Sequence, residues 1–102
     1  MDKSIERIKE MEEILNNSIK TINDFESALD AFLKAQIGIN KVSEYYGSEN
    51  WFNDIEEYDS GKVPKDVKAG ILSEDLAYDM LMNNRELAIR MLEVGTEILK
   101  KG

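Results

Sequence analysis

The chain has no cysteine and no histidine. Disulfides, thiolate metal sites and thiol nucleophiles are excluded. The commonest general base and metal ligand is also missing, which leaves carboxylates, lysine, tyrosine and hydroxyls for any chemistry. Proline occurs once, at Pro64, and tryptophan once, at Trp51. No apolar run approaches the ~20 residues of a membrane span. The N-terminal MDKSIERIKEMEE has no apolar core of the kind that makes a secretory signal. A cytoplasmic chain that stays off the membrane is expected.

Positive charge is scarce where it would balance best. Residues 42–61 carry six acids (Glu44, Glu49, Asp54, Glu56, Glu57, Asp59) and no base. Elsewhere the signs nearly cancel, so most of the net charge of −8 sits beside Trp51. That sign argues against nucleic acid or an anionic membrane as a direct partner.

What is present is helical. The 102 residues, 42% hydrophobic and 33% charged, suffice for one domain spanning 1–102. Residues 3–46 hold no proline and one glycine, Gly38. On a heptad, Ile8, Leu15, Ile22 and Leu29 share one position. Met11, Phe25, Phe32 and Ile39 share the other, with Ser18 interrupting. This pattern predicts a long amphipathic helix with coiled-coil character over 1–46, about 65 Å at 1.5 Å per residue. Asp2 or Ser4 caps it. A hairpin broken between Asn16 and Asp24, where helix formers are poor, is the alternative. Gly38 is read as a point of close approach for another element, such as the Trp51 ring.

Residues 47–102 read as a compact cap of three short-to-medium helices on the C-terminal half of the long one. Gly47 suits a left-handed helix end and Ser48 a new cap. Trp51, Ile55 and Tyr58 then share a face of a helix over about 49–58. Asp59-Ser60-Gly61 is a turn and Val63-Pro64 an extended step. Residues 65–72 make a helical turn ended by Gly70. Ser73 caps a helix that begins with Glu74-Asp75. Asn83-Asn84-Arg85-Glu86 reads as a capping box opening a last helix along Leu87, Met91, Val94 and Ile98. Gly95, on or near that stripe, allows close helix packing.

The residues Tyr45-Tyr46, Trp51, Asp54, Pro64, Asp66, Lys68, Gly70 and Leu72-Ser73-Glu74-Asp75, in their joint spacing, resemble a known family. It is the uncharacterised domain of unknown function 4298 (DUF4298), a family of small acidic helical proteins. The resemblance implies a bacterial, cytoplasmic, all-α protein, and it implies no activity.

Each candidate constellation has a plainer explanation. Ser73-Glu74-Asp75 sets a hydroxyl beside two carboxylates, yet a capped helix start accounts for all three. Asp54, Glu56, Glu57 and Asp59 offer oxygen ligands, but the calcium-loop spacing is absent and a solvated acidic face suffices. No catalytic, cofactor-binding or metal-binding residue is assigned, and a non-enzymatic protein is expected. Tyr45, Tyr46, Trp51, Pro64, Gly70, Leu72 and Ser73 form the expected structural hub. Glu49, Phe52, Asp54, Glu56, Glu57, Tyr58 and Asp59 form the expected interaction patch, aromatic and acidic, suited to a basic protein partner.

The last helix is too short to cover the stripe from Ile5 to Leu29, and an apolar stripe of that length marks an interface. A helical protein–protein interaction module that dimerises through its N-terminal helix is the favoured reading. The alternative is an acidic mimic of nucleic acid that inhibits a nucleic-acid-binding protein.

Overall fold

The computed structural model describes residues 2–102 and is all-α. Helix α1 spans Lys3–Tyr45, α2 spans Glu49–Asp59, a 3-10 turn covers Gly70–Leu72, and α3 spans Glu74–Lys101. No strand occurs among the described residues. Internal contacts divide the chain into one unit up to Ile37 and another from Gly38 to Gly102.

The first unit is helix α1 up to Ile37. Asp2 starts it: its carboxylate accepts the Ser4 N–H at 2.9 Å and its carbonyl accepts the Ile5 N–H at 3.1 Å. The hairpin alternative is not found, since α1 runs unbroken through Asn16-Asn17-Ser18 and Asn23-Asp24. Neither glycine nor proline interrupts that stretch, and Lys20 pairs with Asp24 one turn on at 2.7 Å. An exposed pair of this kind contributes about 0.3 kcal/mol, enough to offset one mediocre helix former. No residue of α1 is buried.

The second unit is built around turns. Helix α1 ends where Gly47 takes φ +78°, and Ser48 turns extended. The Ser48 hydroxyl then accepts the Trp51 N–H at 3.2 Å, so one short link closes one helix and caps the next. At the far end of α2, Gly61 takes φ +82°. The Gly61 N–H reaches the Tyr58 carbonyl at 3.2 Å and the Lys62 N–H reaches that of Glu57 at 3.0 Å. These paired bonds are a Schellman stop, satisfying carbonyls the helix leaves open. Ser73 caps α3 by accepting the Leu76 N–H at 3.4 Å. Glu74 and Asp75 lie in the first turn of α3 and Lys100 and Lys101 in its last, each matched to the helix dipole.

Four expectations fail here, the first being a helical turn over 65–72 ended by Gly70, which instead opens the 3-10 turn. Helix α3 is one element of 28 residues, so the capping box at Asn83–Glu86 opens no new helix. Asn83 and Asn84 are poor helix formers, but neither forces the backbone out of helical geometry as proline does. The compact cap of three helices is not found either. Among the described residues only Trp51 and Ala77 are buried, at 6% and 4% exposure, and Leu87, Val94 and Ile98 lie open to solvent. The element joining α2 to α3 is the 3-10 turn, which packs on both. Finally, Gly38 and Gly95 mark no close approach: a methyl group added at either would meet nothing within 4 Å.

Candidate interaction surface

Trp51 organises the second unit. Its indole N–H donates to the Ile71 carbonyl at 3.0 Å, which ties α2 to the 3-10 turn. The Tyr46 and Phe52 rings each meet it edge-on with centroids 5.0 Å away, an arrangement the ring quadrupoles favour. Tyr46 also donates its hydroxyl to the Glu74 carbonyl at 3.3 Å, which links the end of α1 to the start of α3. Of the other hub residues, Tyr45 and Leu72 are half-buried. Ser73 is exposed and acts as a cap, while Pro64 and Gly70 are exposed. Pro64 serves its own turn, its carbonyl accepting the Val67 N–H at 3.1 Å. A methyl at Gly70 would touch Leu76 at 3.7 Å, so this glycine lies in ordinary contact with the start of α3.

The acidic residues of α2 divide into two sets. Glu49, Phe52, Glu56 and Asp59 recur every three or four residues, which places them on one helix face, and all four are exposed. Asp54 and Glu57 point elsewhere and are half-buried. Asp54 accepts the Tyr45 hydroxyl at 2.5 Å, and Glu57 lies 3.9 Å from the Lys62 ammonium. Tyr58 is partly exposed, at 43%. The expected patch is therefore brought together only in its outer half. The Tyr45–Asp54 bond joins α1 to α2 across the Gly47 turn, and neither helix periodicity signals it. The hint in the sequence is that Asp54, three residues after Trp51 and four before Tyr58, falls off the outer row of Glu49, Phe52, Glu56 and Asp59.

The bond marks Tyr45 electrostatically. Asp54 holds the phenol proton through the hydrogen bond, and burial and the carboxylate's charge act in the same direction, so its pKa is pushed up to about 12. Tyr46 is also raised, by burial first and then by the charges of Glu74, Asp75 and Tyr78.

Two hollows adjoin these residues. One of about 210 Å³ has Tyr45, Asp54, Glu57, Val67, Lys68 and Leu72 among its walls. A wider one of about 510 Å³ lies over Tyr46, Trp51, Phe52, Ile55, Leu72 and Glu74. Among the described residues no three carboxylates converge as metal ligands. Among the described residues no helix is long and apolar enough to cross a membrane.

The family model described as domain of unknown function (DUF4298) matches residues 8–94. The chain belongs to this family. The match takes in most of α1, all of α2 and the 3-10 turn, and most of α3, well beyond the segment from Tyr45 to Asp75 that carries the resemblance. No curated protein and no solved structure matches the chain. The DUF4298 assignment carries no activity with it.

Proposed function

We propose that this DUF4298 chain is a non-enzymatic helical interaction module of the bacterial cytoplasm that self-associates through α1. The observation behind this is the open apolar stripe of that helix. Ile8 is 66% exposed, Ile22 65% and Leu33 70%, and Met11, Leu15 and Phe25 are more than half exposed. Isolated apolar side chains on a surface need no explanation, but a contiguous stripe does. Covering it contributes ~25 cal/mol for each Å² of apolar area removed from water. The outer face of α2, with Phe52 among Glu49, Glu56 and Asp59, offers a second contact to a basic protein surface.

Light scattering at tens of micromolar tests the reading: a mass above one chain is expected, and Ile22→Asp should return it to one chain. A wild-type monomer at that concentration refutes self-association. The nucleic-acid mimic has less support, because Asp54 and Glu57 leave the outer row and so break an unbroken run of carboxylates. A partner captured through mimicry would dissociate steeply with salt, whereas one held by an apolar helix face would not.

A further inference from the structure

Resting on that self-association, we infer that two copies of α1 pair in parallel and in register, with Arg7 of each chain against the partner's Glu12. Ile8, Leu15, Ile22 and Leu29 occupy the a positions of a heptad, and Met11, Ser18, Phe25 and Phe32 the d positions. This register makes Arg7 a g residue and Glu12 the e residue five places on, the relation that meets across a parallel pair. Both helices supply both charges, so two such ion pairs form.

The remaining flanks agree with the same geometry. Ile14 at g meets the partner's Ile19 at e, and Ala28 meets the partner's Leu33, so the apolar seam widens without a charge beside it. Thr21 faces the partner's Glu26, which brings no like charge into contact. Ser18, the one polar residue among these core positions, meets the partner's Ser18, and two hydroxyls facing each other satisfy one another.

Antiparallel pairing fares worse. The register that overlaps the stretch fully sets Ile8 by the partner's Phe32 and Ser18 by the partner's Ile22. It then brings Glu12 beside the partner's Glu26 at both ends, and like charges so placed repel. The area is adequate for a pair. The apolar side chains exposed between Ile8 and Leu33, with the stems of the flanking residues, supply surface for a complex that buries ~800 Å² per partner.

Because the chain has no cysteine, an introduced thiol is the only one present. Ile8→Cys should form a disulfide-linked pair under mild oxidation, at least tenfold faster than Glu13→Cys on the opposite face. Arg7→Glu and Glu12→Arg should each weaken association about tenfold, and the double exchange should restore it. If only a mixture of Ile8→Cys and Phe32→Cys chains cross-links, the pair is antiparallel, and this inference fails while self-association stands. If Ile8→Cys cross-links but the double exchange restores nothing, the Arg7–Glu12 contact is wrong. Failure of every cross-link together with a single-chain mass refutes both readings.

Discussion

Helix α1 up to Ile37 and the segment from Tyr45 to Ala77 solve opposite problems. The first has length, an unbroken helical pattern and no buried residue. The second has short elements, three turns and the two residues, Trp51 and Ala77, that are buried among those described. Helical propensity alone is a weak source of stability, because nucleation is costly and most helices are held by packing of one face. The contrast shows regularity without burial on one side and burial without regularity on the other. The second region holds its own structure through named contacts: Trp51 to Ile71, Tyr45 to Asp54 and Tyr46 to Glu74. The first presents a surface.

The strongest way to break that contrast is at Trp51. Trp51→Ala should destabilise the chain by roughly 3–5 kcal/mol in urea unfolding followed by circular dichroism, as for a large aromatic in a core. A loss below ~1 kcal/mol would mean that the second region is no better anchored than the first. Tyr45 sharpens the comparison. Tyr45→Phe leaves half-buried Asp54 without its phenol donor and should cost about 1–2 kcal/mol.

The same phenol links stability to pH. Its folded pKa of about 12 lies above the ordinary 10.0, so between those values the unfolded chain releases the proton while the folded chain keeps it. Stability is thus fully present below pH 10 and lost as pH rises through about 12. Tyr46, also raised, adds to that loss. Thermal melts from pH 9 to 12 should fall for the wild type and fall less for Tyr45→Phe. Equal slopes would remove Tyr45 from the account. The smallest expected effect is a gain: Gly38→Ala, with open space around the new methyl, should stabilise by about 0.5–1 kcal/mol. A loss would reinstate the close approach that the spacing suggested.

Local signals proved legible wherever one residue's own geometry decides the outcome. Gly47 and Gly61 take left-handed backbone, and Ser48 and Ser73 cap the helices that follow them. The capping box at Asn83 misled because a cap needs a backbone already leaving the helix, and nothing near Asn83 compels that. Gly38 misled because a glycine tolerates close approach without requiring it. The acidic patch was half legible. The outer row follows from periodicity alone, whereas the inward turn of Asp54 depends on a tyrosine nine residues away, beyond a turn.

By itself the order of residues settled the all-α class and the caps at Ser48 and Ser73, and it favoured an unbroken α1 over a hairpin. It could do so because each depends on neighbours within about one helical turn. Only the tertiary structure decided that Trp51 hangs from the Ile71 carbonyl, that Tyr45 claims Asp54, and that α3 runs on without a break. The two hydrogen bonds join groups far apart along the chain or across a turn. For α3, two marginal helix formers leave the local balance close to zero, and the helix continues through them.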